Sequence, residues 1–304
     1  MLKTEQNMGL LAEVTMRHTP GDGVHETAIP GLGLIRQSQP TEPLQILHHP
    51  AVCIIAQGEK EVALADLRYC YNPAKYLVVS VDLPLSGQVT KASPELPYLC
   101  VRIDLDAAML ASVLTEKGAS AIAKGSVERG LFISDMSSDL AGAAIRLVRL
   151  LDEPEHIPFL APLLLREIYY RLLAGEQSGA VRHIATAGSK IHQIGRAIAW
   201  IKEHYAQPFS IEVVANEARM SPSAFHHYFR EVTAMSPLQY QKQVRLQEAR
   251  RLMVGGAFDA AAAGYEVGYE SPSQFTREYR RLFGAPPVRD VTRLRAQGLD
   301  LQTA

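Results

Sequence analysis

Cysteine is scarce in this chain. Its 304 residues include three, Cys53, Cys70 and Cys100, an odd number with no CxxC pair. That pattern argues against a disulfide framework and against a structural zinc. Long hydrophobic runs are also missing. No apolar stretch approaches the roughly twenty residues of a membrane span. The opening MLKTEQNMGLLAEVTMRHTP has neither the apolar core nor the cleavage pattern of a signal peptide. The expectation is a soluble, cytoplasmic protein with no membrane partner. A surplus of one charge sign is absent too: the net charge is −1, which by itself points to no class of partner.

The distribution of charge says more than its sum. From Lys190 onward there are 15 Lys and Arg against 11 Asp and Glu, while residues 1–189 hold 16 and 21. A basic C-terminal part beside an acidic N-terminal part is what one phosphate-facing domain would produce. A length of 304 residues predicts about two domains. In the first, short β-branched segments alternate with turns: Leu32–Gln37, Val52–Gln57, Glu61–Ala65, Tyr76–Val81, Gly87–Ala92 and Tyr98–Leu105. Many short strands at near-regular spacing predict a β-sandwich or barrel. Helical periodicity follows over Leu105–Gly118, Ser137–Leu151 and Phe159–Ala174, and the small, polar stretch Gly175–Gly188 reads as a linker.

Beyond Lys190 the chain reads as wholly helical and contains one pattern twice. The copies, Ile211–Pro237 and Ala260–Pro287, each hold an apolar helix, a tight turn and a basic helix with aromatic anchors. Ala215 and Gly264 precede Phe225 and Phe275 by about ten residues; Phe229 and Tyr279 come four later. Solenoids need about three repeats, so two copies predict a duplicated helix-turn-helix and sequence-directed DNA binding. At about 3.6 residues per turn, the face opposite the aromatics carries Ser223, His227 and Arg230, with His226 on its flank. In the second copy Ser273, Arg277, Arg280 and Arg281 lie on or near that face. Recognition helices read bases from their N-terminal half. Ser223, His226, His227, Ser273, Gln274 and Arg277 are therefore the expected base contacts, and Arg230, Arg280 and Arg281 the phosphate contacts. Arg277 is the strongest single candidate, because a guanidinium bonds bidentately to guanine. The helix Pro237–Val254 joins the copies, and its charges (Lys242, Arg245, Glu248, Arg250, Arg251) are expected mainly on exposed sides, solvated or on phosphate.

These motifs resemble the DNA-binding domain of the AraC/XylS family of bacterial transcription regulators. The second copy matches S-x-F-x-R-x-(F/Y)-(K/R)-x-x-F-G-x-x-P at Ser273, Phe275, Arg277, Tyr279, Arg280, Phe283, Gly284 and Pro287. Gly264 departs from the alanine usual there. Glycine costs about 1 kcal/mol in a helix, which predicts a looser second motif. The stretches from Pro30 to Val62, Tyr71 to Val89 and Ala161 to Gln177 resemble the regulatory domain of one subgroup. The resemblance implies an α+β protein of two domains. Residues 1–118 would form a cupin-like β-barrel that senses an effector, and 119–189 a helical dimerisation segment and linker. Residues 190–304 would form the DNA-binding domain, with motifs at 211–232 and 260–283. It also implies double-stranded DNA and RNA polymerase as partners, a homodimer, and a small organic effector, with aldehydes or related carbonyl compounds as the first class.

A cupin-like barrel raises the alternative of a metalloenzyme, which needs His and carboxylates converging from adjacent strands. His48 and His49 sit between prolines in an expected turn, and no H-x-H with a following Glu occurs. No metal, cofactor or catalytic residue is therefore expected, and the barrel interior is the expected effector pocket. A non-sensing dimerisation domain is the other alternative. Cys53 and Cys100 fall in apolar strand segments, where a cysteine is by default a small buried hydrophobe. Cys70, between Tyr69 and Tyr71 at a turn, is expected to be exposed. Sequence alone places no cation beside any of the three, so thiolate activation does not follow from it.

Overall fold

The computed structural model describes residues 2–118 and 129–296. Within the expected helical segment, residues 119–128 lie outside the described residues, as do 297–304 of the expected C-terminal domain.

The chain opens on a helix, α1 (Leu2–Arg17), whose Met8, Leu11 and Val14 are buried. Then come β1 (Gly23–Glu26), β2 (Leu32–Gln37), β3 (Leu44–His48), β4 (Ala51–Gln57) and β5 (Glu59–Leu64). They are followed by β6 (Leu67–Tyr71), β7 (Lys75–Val79), β8 (Leu83–Lys91) and β9 (Tyr98–Asp104). After α2 (Ala107–Glu116), β10 (Leu131–Asp135) returns to the sheet, and α3 (Ser138–Arg149), α4 (Ile157–Ala174) and α5 (Ser178–Ala185) complete the N-terminal part.

One sheet has the order β1-β2-β9-β4-β7-β10 and the other β3-β8-β5-β6. The fold is the expected α+β one, and its two-sheet N-terminal domain is cupin-like in a loose sense, since the sheets do not close into a barrel. Strands next to one another in sequence switch sheets: β8 pairs with β3 and β5, whereas β9 pairs with β2 and β4. Among the described strands no ladder bridges the sheets, which therefore meet through side chains, as in a sandwich.

Other departures have local causes. Pro84 hides the first half of β8, since proline in a run argues against a central strand. His48 ends β3 rather than lying in a turn. The expected linker is helical: in α5, Ala180, Val181, Ile184 and Ala185 are buried along one face. Flanking glycines and small residues conceal that helical spacing in the sequence.

The remaining helices are α6 (Lys190–Glu203), α7 (Ile211–Glu217), α8 (Pro222–Thr233), α9 (Pro237–Val254), α10 (Ala260–Glu266), α11 (Pro272–Phe283) and α12 (Pro287–Ala296). They pack into two cores. The first motif shares a continuous core with the N-terminal sheets, running from Met8 through Phe225 and Phe229 to Val244. The second motif has its own, from Leu246 through Phe275 and Tyr279 to Val291. Helix α9 belongs to both.

Candidate nucleic-acid interface

Both motifs are built by the same local devices. A serine side chain caps the second helix, Ser221 on the Ala224 N–H and Ser271 on the Gln274 N–H. Proline follows at the first helical position, where its missing N–H costs nothing. Each helix ends on a left-handed residue, Ala234 at φ 60° and Gly284 at φ 77°. The inter-helix turns correspond: Met220 N–H donates to Ala215 O and Tyr269 N–H to Gly264 O, both at 3.0 Å.

These devices turn the aromatics inward. Phe225, Phe229, Phe275 and Tyr279 are buried. The opposite faces carry Ser223, His226, His227 and Arg230 on α8, and Ser273, Gln274, Arg277, Arg280 and Arg281 on α11; all nine are exposed. Gln274 Nε2 donates to Glu278 Oε1 at 3.3 Å. None of the four arginines is paired with a carboxylate among the described residues.

Several polar groups behind this surface escape sequence reasoning. Arg250 is 2% exposed, contrary to the expected solvated face. Its Nε and Nη2 donate to Asp290 at 2.8 and 3.1 Å, and its Nη1 to Gln45 O at 3.1 Å. Tyr279 OH donates to the same Asp290 at 2.9 Å. Arg245 is half-buried and donates to Tyr205 O at 2.6 Å, Gln207 O at 2.9 Å and Gly268 O at 3.0 Å. It thus staples the loop before α7 to the turn of the second motif. At Gly268 (φ 85°) a Cβ would stand 2.2 Å from Ala206 O, so only glycine fits. Lys242 Nζ and Tyr269 OH both donate to Glu278. Burial alone would raise the Glu278 carboxyl, but these bonds and that from Gln274 hold it below the usual carboxylate range. The only sequence signal for these partners is a charged residue on a helix side that also packs.

The looseness expected from Gly264 is not seen. A Cβ there would stand 3.0 Å from Cγ and 3.1 Å from Cδ1 of Phe275, so the ring occupies the space a side chain would take.

The N-terminal sheets hold the DNA-side helices at several points. Asp82 accepts from Lys202 Nζ at 2.9 Å and from the His49 ring, and its carbonyl accepts from Tyr240 OH at 2.8 Å. Gly130 N–H donates to Val232 O at 2.9 Å, and Arg293 pairs with Glu42. Two cavities border helices rather than the space between the sheets. One of about 470 Å³ lies against α2 and α4, lined by Leu105, Met109, Ala161, Leu165 and Tyr169. Another of about 280 Å³ lies between β3 and helices α6 and α9, lined by Leu47, Lys202, Tyr205, Val244 and Arg251. Among the described residues no group of three or more His, Cys, Asp or Glu is placed to hold a metal ion. No described helix is long and apolar enough to cross a membrane.

Two helix-turn-helix units on one connecting helix, behind a two-sheet domain, define a DNA-binding transcription regulator. The comparisons agree. The family profile "AraC-type transcriptional regulator N-terminus" matches residues 28–180, and a helix-turn-helix domain profile matches 214–292. The chain belongs to the AraC-type transcriptional regulators, the AraC/XylS family. It is 25% identical over 256 residues to the HTH-type transcriptional regulator ExsA of Pseudomonas aeruginosa, covering 82% of this chain and 88% of that one. It is 26% identical over 180 residues to the thermoregulatory protein LcrF of Yersinia pestis, covering 58% and 63%. Its fold is shared by ToxT of Vibrio cholerae bound to an unsaturated fatty acid, with TM-score 0.55, 11% identity and coverage of 86% and 93%. Another ToxT structure, bound to (E)-4-(8-methylnaphthalen-1-yl)but-3-enoic acid, gives TM-score 0.58 at 14% identity, covering 86% and 97%.

Proposed function

We propose that α8 and α11 read bases in two successive major grooves. Ser223, His226 and His227 would meet one set of base edges and Ser273, Gln274 and Arg277 the next; Arg230, Arg280 and Arg281 take phosphates. One observation carries this reading: on both helices every one of these side chains is exposed while Phe225, Phe229, Phe275 and Tyr279 of the same helices are buried. At about 1.5 Å per residue the 18 residues of α9 span about 27 Å, a suitable strut for grooves about 34 Å apart.

The test separates the two kinds of arginine. Arg277→Ala is expected to weaken operator binding by about 1–3 kcal/mol and relax preference at one base pair. Arg280→Ala should weaken all sequences evenly and lower the salt slope by about one. An Arg277→Ala protein that keeps both affinity and selectivity overturns the assignment.

The division into 1–118, 119–189 and 190–304 is retained as a proposal, with the middle segment as the dimerisation element. Its support is α4, where Phe159 (77% exposed), Leu163 (62%) and Tyr170 (44%) form an apolar stripe beside the larger cavity. A second copy of the chain is the occupant this stripe fits, and a full-length protein that sediments as a monomer on DNA removes the claim. A small organic effector completes the reading. The cavity between β3, α6 and α9 supports it, because a ligand there touches both the sheets and the helix joining the motifs. Carbonyl compounds, and carboxylic acids such as those bound to ToxT, are the first classes to screen by their effect on DNA affinity. RNA polymerase is the protein partner that such a regulator engages.

A further inference from the structure

The N-terminal domain buries two cysteines and a histidine side by side. In the β4–β9 ladder Cys53 stands opposite Arg102 and Ile55 opposite Cys100. Opposed residues share a face, and so do residues two apart, which makes Cys53 and Cys100 diagonal neighbours on the same face. Both are free thiols, 4% and 1% exposed. His48, at the end of β3, brings Nε2 to 3.6 Å from Cys53 Sγ.

The proton on that imidazole is fixed by its other nitrogen. His48 Nδ1 lies 2.7 Å from His49 O, and a carbonyl only accepts, so Nδ1 carries the hydrogen. Burial, then the Lys60 charge, lowers His48 to about 4, so the ring is neutral and Nε2 presents a bare lone pair to Cys53. Cys100 is drawn down, first by the neighbouring Cys53 thiol and against burial, with Lys60, Tyr98 and Arg102 adding to it. The Cys53 thiol moves the opposite way, pushed up by its Cys100 neighbour and by burial. The two thiols are thus driven apart, Cys100 toward the thiolate and Cys53 toward the protonated form, with the bare His48 Nε2 beside Cys53.

We infer that Cys53 and Cys100 form a peroxide-oxidisable pair, a redox-modification site built into the two-sheet domain. The Cys100 thiolate attacks one oxygen of a hydroperoxide, the O–O bond breaks, and the departing alkoxide or hydroxide takes a proton from water. Cys100 is then a sulfenic acid. Cys53, oriented by the His48 Nε2 lone pair 3.6 Å away, attacks that sulfur; its thiol proton goes to the departing hydroxide, which leaves as water, and the S–S bond forms. Overall, two thiols and one hydroperoxide give a disulfide, water and an alcohol (a second water for hydrogen peroxide).

Cys70 supplies an internal control. It is exposed, yet burial of its sulfur and a hydrogen bond to Glu61 Oε2 at 3.6 Å raise its pKa. Accessibility alone predicts that Cys70 oxidises first; the inferred pair predicts the reverse.

The test uses the reduced full-length chain with one equivalent of hydrogen peroxide, alkylation of remaining thiols, and peptide mass spectrometry. The expected product is a Cys53–Cys100 cross-link lacking two hydrogens, with Cys70 alkylated. Cys70→Ser should leave its yield unchanged, and Cys100→Ser should abolish it. His48→Gln should let the Cys100 sulfenic acid accumulate, trapped by a 1,3-dione probe. Oxidation of Cys70 while Cys53 and Cys100 remain alkylatable in the unmodified chain overturns the inference, whatever the variants do.

Discussion

The two helix-turn-helix copies have nearly the same plan and are stabilised differently. In the first, Phe229 stacks edge-on against Tyr240 at 5.5 Å, and the Tyr240 hydroxyl reaches out of the motif to Asp82 O. In the second, the corresponding positions, fifty residues on, are Tyr279 and Asp290, and the hydroxyl turns inward to the carboxylate that holds Arg250. The first copy thus leans on the sheets, while the second closes on a buried ion pair of its own. A duplicated sequence pattern preserves the outward face and the caps, but what lies behind each copy is set by its neighbours.

The ion pair offers the largest contrast. Asp290→Ala leaves the Arg250 guanidinium buried without its carboxylate, and removing one partner of such a pair costs about 3–5 kcal/mol. The matching change in the first copy, Tyr240→Phe, removes one hydrogen bond worth about 1 kcal/mol. Urea unfolding followed by Trp200 fluorescence and by circular dichroism should show the second core melting early in Asp290→Ala alone. Equal losses from the two substitutions would erase the distinction.

The supporting helices give a middle-sized test. Gly264→Ala gains about 1 kcal/mol of helix propensity, but its Cβ presses on Phe275, which is confined between Tyr269 and Tyr279. Overpacking costs about 1–3 kcal/mol, so the expected outcome is a net loss near 1 kcal/mol. Ala215→Gly should also destabilise, through propensity. A rise in melting temperature for Gly264→Ala would mean that Phe275 has room to move and that the expected looseness is real.

The smallest effect lies at the caps. Ala234 adopts a left-handed conformation that glycine takes without strain. Ala234→Gly should stabilise by about 0.5 kcal/mol, a net of released strain over added chain entropy. Gly284→Ala should lose about 1 kcal/mol. Thermal melts of the pair check both signs.

Much of the DNA-side helical architecture can be read from the sequence, because serine caps, N1 prolines and aromatic spacing are local signals. The proposed base and phosphate contacts could be set on one face for the same reason. Arg245 and Arg250 could not be placed, since a guanidinium on a helix flank reveals nothing about Asp290 forty residues away or the Gly268 carbonyl. How the two sheets meet is hidden at the same level: strand identity is local, but whether two edges pair is not. Cys53 and Cys100 come together only through the β4–β9 ladder, and His48 meets Cys53 from the other sheet, so the sequence reading left the thiols as ordinary small hydrophobes.

Helix α9 has its first half in one core and its second half in the other. A continuous helix resists torsion, so it fixes the rotational phase between α8 and α11 as well as their separation. Duplex DNA turns once in roughly 10 base pairs, and each inserted pair rotates the second groove by about a tenth of a turn. An operator read by both helices therefore has to keep its two boxes in phase. One extra base pair between them should cost more affinity than a mismatch at most single positions, while a whole extra turn restores the angle and overreaches the strut.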